Sequence, residues 1–364
     1  MLKNAFSNLR KFDWILIIAV FSLFCLGLAA IYSVDLSQET EEFTNFKKQI
    51  IFGVIGFLAM FGLGLSNYSG LRVYSRTIYI VTIISLVAVL FLGSTIRGTT
   101  GWFSFFGLGI QPVEFAKIAL IIMLAKFFSN RLQQFRVSKH IIVSLFTTIS
   151  FVFFIMLQPD FGSALILLGI WFLLLLLTGI DKKYILILVL VSVVLSGFCW
   201  EFFLVDYQKD RILTFLSPTS DPLGRGYNVM QAIIGIGSGN LFGRGLGFGS
   251  QSQLRFVPES QTDFVYAVIA EELGLFGVLL LLGFWGIVFF RLITIARRAK
   301  DDFGMFLVLG ITCLFFLHIF INIGMNMGIM PVTGISLPFL SYGGSFLVIC
   351  MALIGIAQSV AVKK

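Results

Sequence analysis

Charged side chains make up only 12% of these 364 residues, so those beside apolar runs are the first candidates for chemistry. Asp263 opens the helical pattern Asp263-Phe-Val-Tyr-Ala-Val-Ile-Ala-Glu-Glu-Leu-Gly274, with Glu271 and Glu272 two turns further on. Glu114 and Lys117 stand three residues apart at the start of another apolar run, a spacing that puts both on one helix face. Asp160 lies in the short turn Gln158-Pro-Asp-Phe-Gly-Ser-Ala164. A carboxylate near a hydroxyl can take its proton as that hydroxyl attacks. Lys and Arg can hold an anionic leaving group. Each residue also has a plainer reading. Asp160 can cap a helix, and Asp263 can be stabilised by a helix N-terminus. Glu114 and Lys117 can form a local ion pair, and the two glutamates can take partners from loop arginines or Lys117. His318, solitary in an apolar run, is expected to be a packed polar contact rather than a ligand.

The elements that must position these groups are membrane spans. With 58% apolar residues and a mean hydropathy of +0.99, the composition excludes a soluble protein. Ten apolar runs fall near 14–33, 50–65, 78–92, 115–128, 140–157, 162–178, 185–203, 272–293, 303–324 and 345–362. The fold class expected is an all-α polytopic membrane protein of about ten transmembrane helices. It would be one integral membrane domain: seven helices in 1–203, a large extracytoplasmic loop in 204–262, and three helices in 263–364. The first run lacks a small-residue cleavage site and is expected to remain a span. Cys25, Cys199, Cys313 and Cys350 lie in or beside spans, where packing is the expected role.

Orientation follows from the basic residues, which favour cytoplasmic loops. Lys3, Arg10 and Lys11 precede the first run, and alternate loops carry Arg72 and Arg76; Lys126, Arg131, Arg136 and Lys139; Lys182 and Lys183; and Arg291, Arg297, Arg298 and Lys300. Both termini are therefore expected inside. The net charge of +8 then reports topology, and a nucleic-acid partner is not expected. Glu114, Lys117, Asp160, Asp263, Glu271 and Glu272 all map to the outer half. So does the long 204–262 connection, which carries Arg211, Arg225 and Arg244. Within it, seven glycines in the fifteen residues Gly235-Ile-Gly-Ser-Gly-Asn-Leu-Phe-Gly-Arg-Gly-Leu-Gly-Phe-Gly249 allow close backbone approach and could offer N–H groups to an anion. The alternative is a flexible loop with no ligand.

These residues also form a longer pattern. Gln111-Pro-Val-Glu114-Phe-Ala-Lys117, Gln158-Pro-Asp-Phe-Gly-Ser-Ala164, Gly226-Tyr-Asn228, Val257-Pro-Glu-Ser-Gln-Thr-Asp263-Phe and Pro331-Val-Thr-Gly-Ile-Ser-Leu-Pro-Phe-Leu-Ser-Tyr-Gly-Gly-Ser345 occur in order from about residue 13 to the C-terminus. In this the chain resembles the SEDS family of cell-shape and division proteins, and its elongation members more than its division members. The resemblance implies a peptidoglycan glycosyltransferase that polymerises lipid II at the outer face of the bacterial cytoplasmic membrane. It implies Asp263 as the catalytic acidic residue. It places Glu114 and Lys117 in the same cavity, with Trp102, Gln111, Asp160, Arg211, Arg244 and Glu272 as further substrate-binding candidates. The implied partners are lipid II, the polyprenyl-diphosphate-linked glycan, membrane lipid and a class B penicillin-binding protein. No cofactor is certain; a divalent cation held by outer acidic residues is the candidate, and its ligands are unassigned. The family's arginine before the loop tryptophan is absent, since Gly101 precedes Trp102 and Arg97 is the basic residue nearby. Val113, Asn240 and Ser336 also depart from the usual Ser, Gly and Pro.

Two rival readings share the polytopic plan. A lipid II transporter needs a hydrophilic path into the inner half of the membrane, where His318 and a few Ser and Thr residues are the candidates. A scaffold that only anchors its partner predicts normal function with Asp263 neutralised. A division-type member would perform the same chemistry.

Overall fold

The computed structural model describes residues 9–37, 43–96, 99–105, 108–129, 137–202, 209, 215, 225–257 and 259–363. Three helices come first: α1 (Trp14–Leu36), α2 (Thr44–Leu65) and α3 (Ser69–Leu92). A small antiparallel sheet follows, of β1 (Ser94–Ile96), β2 (Thr99–Phe105) and β3 (Leu108–Ile110), in the order β1-β2-β3 with Trp102 opposite Ser94 and Phe103 opposite Ile110. Next are α4 (Pro112–Ser129), α5 (Val137–Met156), α6 (Phe161–Leu177), α7 (Lys182–Phe202), α8 (Arg225–Ser238) and the short α9 (Ser250–Gln253). The chain ends with α10 (Val265–Arg297), α11 (Asp302–Asn326) and α12 (Gly344–Val362).

Each of the ten apolar runs lies on one of these helices. Six of them, α1, α2, α3, α10, α11 and α12, are long and apolar enough to cross a membrane, while the apolar helical stretches Ile141–Met156 and Phe161–Leu177 are shorter. The chain is a multi-pass membrane protein. The sheet is the departure from an all-helical expectation: Thr, Trp and Phe in β2 suit a pleated surface. Between α7 and α10 the chain is helical in part, through α8 and α9.

Helices in lipid associate by close packing, which small residues permit. A Cβ on Gly355 of α12 would lie 2.5 Å from the carbonyl oxygen of Met60, so α2 and α12 touch backbone to backbone. At the end that the basic residues mark as cytoplasmic, Asp13 caps α1 by accepting the N–H of Leu16 at 3.1 Å. Arg291 of α10 grips the same carboxylate through Nε and Nη2 at 2.6 to 3.0 Å. Gln358 of α12 donates to the Asp13 carbonyl and accepts its N–H. Three distant helices are thereby pinned at one point.

At 33 residues α10 would be about 50 Å long if regular, well beyond the ~30 Å hydrocarbon core. It breaks at Gly274, whose φ of 65° and ψ of −162° leave the helical region. The glycine-rich loop mends the break. In a continuous helix the N–H groups of Leu275 and Phe276 would bond to the carbonyls of Glu271 and Glu272. Instead they donate to Asn240 and Leu241 at 2.9 and 3.1 Å, while Glu271 and Glu272 accept from Arg244 and Gly245 at 3.0 and 2.9 Å. The loop is spliced into the helical ladder, so no orphan backbone groups remain at these four positions.

Candidate active site

A cavity of about 370 Å³ opens where α4, α6, the start of α10, α11 and the segment before α12 meet. Trp102, Gln111, Glu114, Lys117, Asp160, Asp263 and His318 all line it.

Its basic group comes from local helix geometry. Pro112 starts α4, where its fixed φ and missing N–H suit the first turn. Glu114 follows in that turn, favoured by the helix dipole. One turn later Lys117 reaches back, and its Nζ lies 2.7 Å from Glu114 Oε1. Both residues are nearly enclosed, at 7% and 2% exposure, so the pair must neutralise itself and satisfy its remaining polar sites. His318 supplies the next contact, with Nε2 at 3.3 Å from Lys117 Nζ. The other ring nitrogen, Nδ1, faces the Ser336 carbonyl at 3.1 Å. A carbonyl only accepts, so the proton belongs on Nδ1 and Nε2 offers its lone pair to the ammonium. The Phe346 ring lies 5.8 Å from the cation and adds a cation–π contact. Among the described residues, Glu114 and His318 engage two of the three ammonium N–H groups, and Lys117 lines the cavity.

Asp160 fills the capping role its sequence suggests, accepting the Ser163 N–H at 2.9 Å, and also faces the cavity. Gln111 approaches its second oxygen at 3.5 Å.

Asp263 lies just before α10, half-buried, in a turn where its N–H donates to the Glu259 carbonyl at 3.1 Å. Residues far away in sequence hold that turn. Ser341 Oγ donates to the Thr262 carbonyl at 2.5 Å, and the Tyr342 N–H donates to the Gln261 carbonyl at 2.8 Å. The Gln261 side chain bridges Asp35 and Asn45, each at 2.6 Å. Burial, and then the negative charge of Asp35, push the Tyr342 phenol above its ordinary value. It lines the cavity as a neutral group able to donate.

Other sequence candidates lie elsewhere. Glu272 does not line the cavity; it is buried against Ser33 Oγ, the Gly247 N–H at 3.3 Å and Ser252 Oγ at 3.4 Å. Its neighbour Glu271 accepts the N–H groups of Gln251 and Ser252 at 2.8 and 3.0 Å. Loop hydroxyls and amides, rather than the arginines or Lys117, are therefore their partners. Arg244 is exposed and bonds Ser250 Oγ at 3.0 Å, also away from the cavity. The glycine loop's N–H groups at 243, 244, 245 and 247 all donate to protein acceptors, so these four are not offered to an anion. Arg97 and Arg211 lie outside the described residues. Gly101, where the family pattern has arginine, packs against Gln158; a Cβ there would stand 3.3 Å from Gln158 Oε1.

Sequence reasoning missed the contact of His318 with Lys117, and it missed Asn322 and Asn326. One signal was present: 318, 322 and 326 follow at intervals of four, a polar stripe on an apolar helix. For the divalent cation, among the described residues no group of three or more His, Cys, Asp or Glu side chains is placed to hold a metal ion.

Comparison with known proteins agrees with this arrangement. The sequence pattern of the FtsW/RodA/SpoVE family of cell cycle proteins matches residues 13–364. The peptidoglycan glycosyltransferase MrdB of Escherichia coli K12 is 38% identical over 312 residues, 86% of this chain and 83% of that protein. A solved structure described for the structural coordination of polymerization and crosslinking by a peptidoglycan synthase complex is similar at a TM-score of 0.82. It has 29% identity, and the match covers 96% of this chain and 97% of that one. The rod shape determining protein RodA of Thermus thermophilus is similar at a TM-score of 0.70, with 27% identity and 96% of each chain covered. A match that takes in every helix from α1 to α12 leaves one assignment: the chain belongs to the FtsW/RodA/SpoVE family, the SEDS proteins.

Proposed function

We propose that this protein is a peptidoglycan glycosyltransferase that polymerises lipid II at the outer face of the cytoplasmic membrane during cell elongation, with Asp263 as its general base. The observation that carries the reading is the joint placement of a half-buried carboxylate, Asp263, and a buried cation, Lys117, on one cavity between helices. The glycosyltransferase name of the 38% identical relative and the rod-shape name of the Thermus protein support the activity and its setting.

In this scheme the sugar 4-hydroxyl of the acceptor attacks the anomeric carbon of the donor. A new carbon–oxygen bond forms there as the bond to the polyprenyl diphosphate breaks. The hydroxyl proton passes to Asp263, and the bonding electron pair leaves with the diphosphate. Lys117 offers its remaining N–H to that anion, in a site where low dielectric strengthens the attraction. Gln111, Trp102 and Tyr342 contribute polar and aromatic surface for the sugars. The isoprenoid tail lies in lipid between helices. No step is routed through a metal.

A crosslinking partner of the class B penicillin-binding type is part of this proposal, supported by the likeness to a chain of a peptidoglycan synthase complex described for polymerization and crosslinking. The test of the activity is purified protein with lipid II. Wild type is expected to form polymer and Asp263→Asn to form none, while the variant still inserts and still copurifies with the partner. Polymer from Asp263→Asn at the wild-type rate would overturn the assignment of the base.

A further inference from the structure

The carbonyl oxygen of Asp263 does not join the helix that follows it. In a regular helix it would accept the N–H of Ala267, four residues on. Here a side chain from α11 is inserted into that link: Asn326 Oδ1 accepts the Ala267 N–H at 3.2 Å, an amide it shares with the Phe264 carbonyl at 3.0 Å, and Asn326 Nδ2 donates to the Asp263 carbonyl at 3.0 Å. Asn322, one turn earlier, donates to the same carbonyl at 2.9 Å and to the Ile335 carbonyl at 2.7 Å. Two amide donors thus fill both acceptor sites of one carbonyl oxygen. Both asparagines are fully buried. Asn326 Nδ2 also donates to the Asn322 carbonyl at 2.9 Å, which ties the two residues of the clamp together.

The consequence for Asp263 is geometric. With its carbonyl drawn toward α11, the residue is held outside α10, and its carboxylate lines the cavity. A buried, fully bonded amide network is rigid, because any movement leaves polar groups unpaired in an apolar interior. The same stripe reaches the opposite wall. Asn322 holds Ile335, and His318 one turn earlier meets both Ser336 and Lys117. One face of α11 therefore carries contacts to the backbone of Asp263 and to the Lys117 cation.

We propose that Asn322 and Asn326 are positioning residues for the reaction, acting through the backbone of Asp263 to fix its carboxylate against the acceptor hydroxyl. This rests on the reading of Asp263 as the general base. A displacement of about 1 Å at a reacting group lowers turnover by about a hundredfold. Removing the clamp is therefore expected to lower kcat by between about tenfold and a hundredfold, with KM for lipid II changed far less.

The test compares purified wild type with Asn326→Leu, Asn322→Leu, Asn326→Asp and Asp263→Asn, in lipid II polymerisation across pH. Asn326→Asp keeps an acceptor for Ala267 and removes the donor to Asp263. Amide hydrogen exchange at Ala267 and a thermal unfolding midpoint are read on the same samples, so an inactive variant still reports. The expected result is faster exchange at Ala267 in Asn326→Leu, a fall in kcat in all three asparagine variants assayed well below their own midpoints, a shifted acid limb of the pH–rate profile and a thermal midpoint lowered by the unpaired buried groups. Wild-type kcat in folded asparagine variants overturns the proposal while an inactive Asp263→Asn keeps the base assignment. A fall in activity that only follows the thermal midpoint, with the acid limb unmoved, reduces the asparagines to packing and also overturns it. An active Asp263→Asn overturns both readings.

Discussion

The ammonium of Lys117 stands 3.3 Å from Nε2 of His318, across 201 residues of sequence, with the histidine proton directed to the Ser336 carbonyl on the far side. The histidine is an acceptor in this pair, and it shares with Glu114 the task of holding a charge inside the bundle.

A hydrogen bond to a charged group contributes about 1.5–3 kcal/mol. His318→Leu is accordingly expected to lower polymerisation by about tenfold to a hundredfold. His318→Gln returns an acceptor oxygen and should recover part of the loss. Initial rates of lipid II polymerisation for the two variants check this, and a His318→Leu protein as fast as wild type would remove the role.

Glu114 and Lys117 are expected to differ in single and double replacement. Removing one member of a buried pair costs about 3–5 kcal/mol, because the other charge is left without compensation. Glu114→Gln should therefore lower the thermal midpoint in detergent more than the double variant Glu114→Gln/Lys117→Met. Neither should polymerise, since each disturbs or lacks the cation. Equal midpoints for the two would show that the pair is not the buried unit described here.

Glu272 has a fastening role, with Ser33 of α1 and the Gly247 and Ser252 groups of the loop as its partners. Glu272→Ala leaves the buried Ser33 hydroxyl without its acceptor, at a cost of about 1–3 kcal/mol, while the Gly247 N–H keeps Ser33 Oγ and Ser252 Oγ keeps the Gly249 carbonyl. The measurement is thermal stability beside KM for lipid II. Stability should fall while KM in the folded fraction stays near wild type, and a selective rise in KM would return Glu272 to the substrate site.

At the cytoplasmic end, Tyr68 donates to Asp301 Oδ1 at 2.8 Å. Burial first, and the Asp301 hydrogen bond and charge second, push its phenol above the ordinary value of about 10. The folded state thus holds this proton more tightly than the unfolded chain. The resulting stabilisation is complete below about pH 10 and is lost as pH rises toward the raised folded value. Thermal unfolding between about pH 9 and 12 should fall more steeply for wild type than for Tyr68→Phe. Parallel curves would rule out this linkage.

What the amino-acid order determined alone was whatever depends on neighbours within a turn or two. Membrane insertion follows local apolar composition, so each of the ten runs lies on a helix. The Glu114–Lys117 pair follows from a three-residue spacing at a helix start, and the Asp160 cap from an aspartate three residues before the N–H it accepts. The motif around Asp263 marked it as the candidate base only through the family resemblance; by itself a scarce charge beside lipid says that it must be compensated or used.

Tertiary structure decided which faces meet. His318 reads as a solitary polar residue and Asn322 goes unremarked until the packing of α11 brings one to Lys117 and the other to Asp263. Glycines between 239 and 247, able to bind an anion in isolation, are consumed in splicing the broken α10, because two chain segments far apart in sequence complete one hydrogen-bond ladder. Glu272 and Arg244 resemble site residues by proximity in sequence, yet the break at Gly274 and the docked loop take them away from the cavity. Helical periodicity records which side of a helix is polar, but the partner of that side is fixed only when buried polar groups from distant segments satisfy one another in the packed bundle.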